Sequence, residues 1–256
     1  MERLSSPQNP KIKNLLLLQE KSKARREQGL FVVEGRRELE HCLEAGYTVH
    51  TLFLCPEYFG QDSYPGLKAV EVTPALYEKI AVRGSTEGVI AEVEAKERRL
   101  EDLPLPEHPL IVVLESVEKP GNLGAILRSA DAARADAVII CDPLTDLYNP
   151  TLIRASIGAV FTVPTVAASS REVISYLQAH HIQILTAQLQ DSSLYYDCDM
   201  RGGTALVMGT ESTGLTEEWR RAATAHIRIP MLGRLDSLNV SVSAAILLFE
   251  AVRQRA

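Results

Sequence analysis

The chain has 256 residues, of which 46% are apolar and 23% are charged, as in ordinary globular proteins of one long or two modest domains. This length excludes a miniprotein that depends on disulfides. No apolar run approaches the roughly 18 residues that a membrane-spanning helix needs. Residues 1–13 also lack the apolar core of a secretory signal peptide. We therefore expect a soluble, cytoplasmic protein.

The net charge of −6 is unevenly distributed. Residues 101–256 hold 12 basic and 18 acidic side chains, whereas residues 1–26 hold seven basic and two acidic ones, a local net charge of +5. Such a basic segment is typical of phosphate contact, although a solvated helix face explains it equally well. The candidate phosphate-binding residues are Lys11, Lys13, Lys21, Lys23, Arg25 and Arg26.

The cysteines and histidines show no metal-binding pattern. The four cysteines have none of the paired spacings that zinc or redox sites use, and the six histidines form no ligand pair on one helix face. We expect reduced thiols and no metal.

Residues 1–96 have the pattern of a small α/β domain. Asn9 and Pro10 predict the cap and first position of a basic, amphipathic helix that continues to about Gly29. Short apolar runs then alternate with helical patterns. The predicted strands are 31–33, 49–54, 70–72 and 89–93, and the predicted helices are 36–45 and 75–80.

A charged and then proline-rich segment, residues 97–109, is the predicted linker, since its prolines disfavour helices and central strands. In residues 110–256, apolar strands alternate with helices, which predicts an α/β domain with a mostly parallel sheet and helices on both faces. The predicted strands are 110–114, 137–141, 163–166, 182–186, 205–208 and 226–229, and the helices include 152–160 and a final one over 238–254.

Three loops in this second domain are unusual, and ligands of parallel sheets lie beyond the carboxyl ends of the strands. Residues 118–128 contain two glycines, which let backbone approach a ligand, but neither a dinucleotide fingerprint nor a Walker lysine. Residues 208–215 are small, with amides available before a helix start. Residues 229–241 mix apolar and polar side chains; Ser237 and Asn239 are candidate helix caps, yet capping needs only one residue.

In this order, the three loops resemble the signature motifs of the SpoU class of RNA 2′-O-ribose methyltransferases, which are TrmH-like members of the SPOUT superfamily. The resemblance covers residues 110–255, and residues 154–161 look like the family's segment between motifs. Ser212 departs from the usual glycine. The N-terminal domain, through residues 31–35, resembles more loosely the L30e-like substrate-binding domain of the ribosomal RNA members. The matching motif residues are Asn122 and Arg128, then Gly209, Glu211, Gly214 and Leu215, then Ile229, Pro230, Met231, Ser237, Leu238, Asn239 and Val240.

The resemblance implies a deep trefoil knot, S-adenosylmethionine bound among the knot loops, and a homodimer. The last helix carries an apolar stripe that fits a two-fold interface as well as it fits the core, and we expect core burial as its main use. The stripe consists of Val242, Ala245, Ile246, Phe249 and Val252. The implied cofactor-binding residues are Thr186, Gly209, Ile229, Met231 and Leu238.

The implied reaction transfers a methyl group to a ribose 2′-hydroxyl of RNA, with ribosomal RNA favoured over transfer RNA. We expect Arg128 to clamp the target phosphate and stabilise charge on the 2′-oxygen, because a guanidinium stays protonated and is a poor base. Asn122, Ser237 and Asn239 then orient the hydroxyl, and Glu211 holds the loops. Two alternatives remain open at this point: a non-catalytic RNA-binding protein, and a small-molecule enzyme with a nucleotide cofactor in an ordinary doubly wound fold.

Overall fold

The computed structural model describes residues 2–60, 64–82, 87–210 and 212–256. The chain forms two compact units. The first unit comprises Met1–Glu97 together with Asp146–Thr162, and the second comprises Arg98–Thr145 together with Val163–Ala256. The predicted linker over residues 97–109 stays a prediction. The first unit also includes residues 146–162, which come from the second half of the chain.

The first unit contains a five-stranded mixed sheet. Its strand order is β1-β4-β3-β5-β2, with β5 antiparallel to both β2 and β3 and the other described pairs parallel. The elements up to residue 94 are β1 (Arg3–Leu4), α1 (Pro10–Glu20), α2 (Ser22–Gln28), β2 (Leu30–Glu34), α3 (Arg36–Glu44), β3 (Val49–Leu54), α4 (Pro56–Phe59), β4 (Ala69–Val72), α5 (Pro74–Ile80) and β5 (Val89–Glu94).

The predicted N-terminal helix is two helices. Its start is confirmed: the Asn9 side chain accepts a hydrogen bond from the Lys11 backbone N–H at 2.9 Å, and Pro10 holds the first position. The backbone then becomes extended at Lys21 (φ −111°, ψ 109°), which ends α1 and begins α2. The Arg25 guanidinium of α2 donates to the Leu18 carbonyl at 2.6 Å, so it satisfies a carbonyl that the end of α1 leaves without a helical partner.

The remaining elements are β6 (Leu110–Glu115), α6 (Pro120–Ala132), β7 (Ala137–Cys141), α7 (Pro150–Ala155), α8 (Ala159–Thr162), β8 (Thr165–Ala168), α9 (Ser170–Ala179), β9 (Gln183–Ala187), β10 (Ser193–Leu194), β11 (Thr204–Met208), α10 (Glu217–Ala222), β12 (Ala225–Arg228) and α11 (Val240–Arg255). Helices α7 and α8 belong to the first unit.

The segment over residues 146–162 packs into the first unit through aromatic rings. Tyr148 stacks on Phe31 with ring centroids 4.2 Å apart, and its hydroxyl donates to the Lys96 carbonyl at 2.8 Å. The single helix predicted over 152–160 is broken, because Ile157 and Gly158 have positive φ angles of 53° and 80°. A side chain at Gly158 would lie 2.9 Å from the His41 ring, so close helix packing requires glycine there.

The second unit contains a seven-stranded sheet in the order β10-β12-β9-β11-β6-β7-β8, and every described strand pair in it is parallel. The predicted α/β architecture with a mostly parallel sheet is confirmed. From β6 the chain adds β7 and β8 on one side of the sheet, and it then adds β9, β10, β11 and β12 on the other side. The strand order therefore reverses between β6 and β11, and ligands of parallel sheets bind near such a reversal. The knot that the resemblance implies stays a prediction.

Helix α11 buries a different face from the one expected. Val240, Ala244 and Leu247 point into the core with spacings of about one helical turn. Val242 and Phe249, by contrast, remain 46% and 49% exposed. The expectation that the predicted stripe is mainly core is therefore wrong. Among the described residues, no helix combines the length and the apolar character that crossing a membrane requires.

Candidate active site

A cavity of about 660 Å³ lies at the carboxyl ends of three neighbouring strands of the second unit. Ala187 of β9, Met208 of β11 and Arg228 of β12 all contribute to its walls, together with the loops that follow these strands. Its size is within the range of small-molecule sites. The predicted site residues that line it are Gly209, Ile229, Met231, Ser237, Leu238 and Asn239.

The second loop is closed by a contact between its two glycines. Backbone hydrogen bonds join Thr210 and Gly214 in both directions, at 3.3 and 3.1 Å. A Cβ atom on Gly209 would lie 2.3 Å from the backbone of Gly214, so no other residue fits at position 209 without moving the loop. Glu211, which we predicted to hold the loops, lies outside the described residues. Ser212 is exposed, so the departure from the family pattern does not disturb the core.

A buried carboxylate joins the first loop region to the second. Glu115, the last residue of β6, accepts hydrogen bonds from the Thr216 backbone N–H at 2.8 Å and from the Thr216 hydroxyl at 2.7 Å. Thr216 is the N-cap of α10, where a negative charge is favourable. Sequence reasoning missed Glu115, although a carboxylate that ends an apolar strand was the available signal.

The first and third loops meet through two asparagines. The Asn239 side-chain nitrogen donates to the Asn122 side-chain oxygen at 3.2 Å. Asn239 is also the N-cap of α11, because its Oδ1 accepts from the Ser241 backbone N–H at 3.0 Å. Asn239 therefore caps α11 with its side-chain oxygen and contacts Asn122 with its side-chain nitrogen, so the two predicted roles are compatible. Ser237 donates from its hydroxyl to Asp236 at 3.2 Å on the cavity wall.

Arg128 lies apart from these residues. It is exposed on α6, it does not line the cavity, and it makes no hydrogen bond or ion pair with the residues that the structure describes. Because a helix turns by about 100° per residue, Arg128 faces about 120° away from Asn122. The guanidinium is available to an external anion such as a phosphate.

Thr186 is not part of the cavity wall. It is fully buried on β9, and its hydroxyl lies 2.6 Å from the His226 ring nitrogen on the neighbouring strand. Sequence reasoning missed Gln188 and two guanidinium groups that do line the cavity, Arg220 and Arg228. Gln188 follows β9, Arg220 lies in α10 and Arg228 ends β12, and no motif position marks any of them.

The predicted basic residues of the first unit divide into two groups. Lys13, Lys21 and Arg26 are exposed and form no ion pair within the described chain. The other predicted residues have partners: Lys23 pairs with Glu27 at 3.7 Å, and Lys11 pairs with Glu2.

Arg25 corrects the predicted set. Its side chain is only 4% exposed, and its Nε lies 2.6 Å from a carboxylate oxygen of Asp146, whose side chain is 13% exposed. A guanidinium held in this way is part of the framework of the first unit and does not face a nucleic acid.

The cavity fits S-adenosylmethionine. It combines apolar walls, including Met208, Leu215 and Ile227, with polar groups that include Asp236 and Asn239. Within the described residues, no group of three histidine, cysteine or acidic side chains could hold a metal ion. The cysteines are unpaired thiols, and burial raises the pKa of Cys42 to about 12.

Comparison with known proteins identifies the family. Residues 109–249 match the model of the SpoU rRNA Methylase family, and residues 9–91 match that of the MRM3-like substrate binding domain. The chain belongs to the SpoU rRNA methylase family. The predicted resemblance is therefore confirmed, and all three loops described above lie within the residues that match the SpoU rRNA Methylase model.

Relatives resemble this SpoU methylase over most of its length. A 23S rRNA (uridine(2479)-2′-O)-methyltransferase of Streptomyces viridochromogenes is 31% identical, with 89% of this chain and 84% of that protein covered. The crystal structure of an RNA 2′-O ribose methyltransferase superposes with a TM-score of 0.87 at 41% identity and covers 99% of both chains. An AdoMet-bound rRNA methyltransferase from Sinorhizobium meliloti gives a TM-score of 0.89 at 32% identity, covering 98% of this chain and 97% of that one.

Proposed function

We propose that this chain is an S-adenosylmethionine-dependent methyltransferase that acts on a ribose 2′-hydroxyl of ribosomal RNA. The observation that carries the proposal is the convergence of the family's second and third motifs on one cavity, with Asn239 bonded to Asn122 of the first motif. The names of the Streptomyces and Sinorhizobium relatives support the reaction and the cofactor. A non-catalytic RNA-binding protein would not need this cavity. We also infer a cytoplasmic location, because the Streptomyces relative is a bacterial enzyme named for 23S rRNA.

S-adenosylmethionine supplies an electrophilic methyl group on a sulfonium when it is bound. The chain's part is to hold the ribose oxygen in line and to favour the loss of its proton. Backbone groups of Gly209, Ile229 and Leu238 would hold the nucleoside, and Met231 would form a wall. Asn122 and Asn239, fixed against each other, would orient the ribose hydroxyl.

Arg128 would supply charge to this reaction. An exposed guanidinium that has no partner among the described residues can bind the target phosphate through two parallel hydrogen bonds and stabilise negative charge on the 2′-oxygen. Glu211 and Ser237 would complete the arrangement, the first by holding the second loop and the second by contact with the hydroxyl.

The function is tested by binding and transfer measured separately. We expect the full-length protein to bind S-adenosylmethionine in calorimetry and to transfer a labelled methyl group to unmodified ribosomal RNA. Mapping the product should show one added 2′-O-methyl group that protects the neighbouring phosphodiester from alkali. Cofactor binding without transfer to ribosomal RNA, and with transfer to transfer RNA, would overturn the choice of substrate.

We also propose that the first unit binds RNA phosphates through Lys13, Lys21 and Arg26. Replacing all three by glutamine should raise the RNA concentration at half-maximal rate. The salt dependence of binding should flatten, by up to about 0.7 in log-log slope for each phosphate of single-stranded RNA that the variant no longer binds. The saturated rate should hardly change, because these charges supply uniform binding and not transition-state binding.

A second variant separates local binding from net charge. Arg37, Lys68 and Lys79 are also exposed in the first unit, and their replacement by glutamine removes the same charge. We expect a smaller effect from this control variant. Equal decreases of affinity in filter binding would show that RNA responds to overall charge and that the N-terminal helices form no specific surface.

We propose that the active form is a homodimer built on α11. Val242 and Phe249 of the predicted stripe remain about half exposed in the single chain, and burial of such a face against a second copy removes apolar surface from water. Phe249→Glu should therefore sediment as a monomer at concentrations at which the unmodified protein is a dimer. Leu144→Glu, at a leucine that is 63% exposed elsewhere in the second unit, should stay dimeric. A dimer that survives Phe249→Glu would exclude this interface.

A further inference from the structure

Glu115 is a buried carboxylate without a cationic partner. It is 3% exposed, and among the residues that the structure describes no lysine, arginine or histidine forms an ion pair with it. Both of its oxygens accept hydrogen bonds from one residue, Oε2 from the Thr216 backbone N–H at 2.8 Å and Oε1 from the Thr216 hydroxyl at 2.7 Å. Burial of a carboxylate among neutral groups is costly. The chain bears this cost at the point where the two bonds hold one end of a cavity loop.

The two bonds join the beginning of the second loop to its end. Strands β6 and β11 are parallel neighbours, with Leu114 opposite Met208, so Glu115 lies where the second loop leaves the sheet. The chain returns to Glu115 at Thr216. Between these points, the described loop residues line the cavity: Gly209, Thr210, Ser212, Thr213, Gly214 and Leu215. Glu115 therefore closes a segment that forms one wall of the cavity.

The Thr216 hydroxyl serves this contact and does not cap a helix. Thr216 is the N-cap residue of α10, yet its side chain accepts no hydrogen bond from the first turn of that helix. The hydroxyl donates to Glu115 instead. On either side of Thr216, Leu215 and Trp219 are buried in the core of the second unit. The end of the loop is thus held by the core and by one carboxylate.

We propose that Glu115 is a positioning residue that holds the second loop in the arrangement that binds S-adenosylmethionine. This role rests on the proposed function and adds a residue to it. Glu115 does not itself line the cavity, so it acts through Thr216 and the loop. Without the carboxylate the loop would populate other arrangements, and the apparent affinity for the cofactor falls with the fraction of molecules in the binding arrangement.

The first test uses the full chain with Glu115→Ala, which removes both bonds. Calorimetry should show a Kd for S-adenosylmethionine raised about tenfold or more, the scale of losing hydrogen bonds to a charged group. The KM for the cofactor should rise with it. The saturated rate should stay within about twofold of normal, because a residue that contacts no reacting atom affects binding and not the chemical step.

The conservative variant Glu115→Gln should restore binding. A glutamine oxygen can accept from the Thr216 backbone N–H while its nitrogen donates to the Thr216 hydroxyl oxygen. We therefore expect a Kd within about threefold of normal for this variant, since both contacts persist and only their charge is lost.

Thr216 gives an independent test at an exposed position. Thr216→Val keeps the shape of the side chain and removes one donor, so the Kd should rise about threefold or more. Thr216→Ser keeps the hydroxyl and should bind normally. In the double variant with Glu115→Ala, Thr216→Val should add no further loss, because its partner is already absent. If Glu115→Ala does not fold, an unchanged Kd in Thr216→Val alone overturns the proposed role.

Asp136 provides the matched control at the opposite end of the same strand. Its Oδ2 accepts from the backbone N–H of Leu110, the first residue of β6, at 2.7 Å. Asp136→Ala therefore removes a bond between a carboxylate and the backbone far from the second loop. We expect a lowered Tm with an unchanged Kd for S-adenosylmethionine. The same pair of results for Glu115→Ala would make Glu115 a purely structural residue and would overturn its positioning role.

The remaining outcomes separate this role from the proposed function. If the unmodified protein binds no S-adenosylmethionine, the proposed function itself fails. If it binds, and Glu115→Ala and Thr216→Val bind equally well, only the role of Glu115 fails. A saturated rate that falls in Glu115→Ala with an unchanged Kd would also overturn the role, since Glu115 would then affect the chemical step.

Discussion

Arg25→Ala is expected to destabilise the protein by about 3–5 kcal/mol, the scale of removing one partner of a buried ion pair. In the unmodified protein the Asp146 side chain is 13% exposed and lies 2.6 Å from the Arg25 guanidinium. The substitution leaves this carboxylate without its cation. It also removes the donor to the Leu18 carbonyl at the end of α1. Urea unfolding followed by far-UV circular dichroism measures the change in the free energy of unfolding.

The neighbouring arginine provides the matched control. Arg26 is exposed, and Arg26→Ala should change stability by no more than about 0.5 kcal/mol. The double variant Arg25→Ala with Asp146→Ala should be less destabilised than the sum of the single variants, because each single variant leaves a buried charge unpaired. An Arg25→Ala protein of unchanged stability with weakened RNA binding would instead return Arg25 to the RNA surface.

Arg128→Ala is expected to lower the saturated rate of methyl transfer about 100-fold or more, the scale of losing an electrostatic stabiliser of the transition state. Its affinity for S-adenosylmethionine should not change, because Arg128 is absent from the residues that line the cavity. Single-turnover transfer at saturating RNA and cofactor measures the first effect, and calorimetry measures the second.

Arg128→Lys tests the role more sharply, since lysine keeps the charge and loses the planar pair of donors. We expect this variant to remain strongly impaired. Arg171→Ala, at an exposed arginine of α9, is the control for charge loss and should keep full activity. Near-normal transfer by Arg128→Lys would argue against a two-point phosphate clamp, and transfer above a tenth of normal by Arg128→Ala would argue against any major role in the chemical step.

The sequence predicts those parts of the fold that depend on neighbours in the chain. Asn9 and Pro10 start a helix by local capping chemistry, and the apolar strands of the second unit are recognisable without any partner. The helix breaks at Lys21, and the Arg25 side chain, which bonds the Leu18 carbonyl beside this break, also meets a residue 121 positions away. Nothing in the local pattern of residues 10–29 contains that interaction, so a single continuous helix was the natural prediction.

The site was predictable only as far as the family resemblance extends. Asn122 and Asn239 are 117 positions apart, and composition or periodicity alone would not place them together. Glu115 joins two loop regions and Gln188 lines the cavity, and both lie at positions that no motif marks. Thr186 was predicted at the cavity and lies behind it, because strand geometry turns successive side chains to opposite faces of the sheet.

The membership of residues 146–162 in the first unit has a consequence for the order of folding during synthesis. Domains usually complete in sequence as the ribosome releases them. Here the first unit lacks Asp146 and Tyr148 until β6, α6 and β7 of the second unit have already emerged. Arg25 therefore has no Asp146 to pair with until more than a hundred further residues have been synthesised. Until residues 146–162 have been synthesised, the nascent first unit is incomplete and accessible to chaperones and proteases.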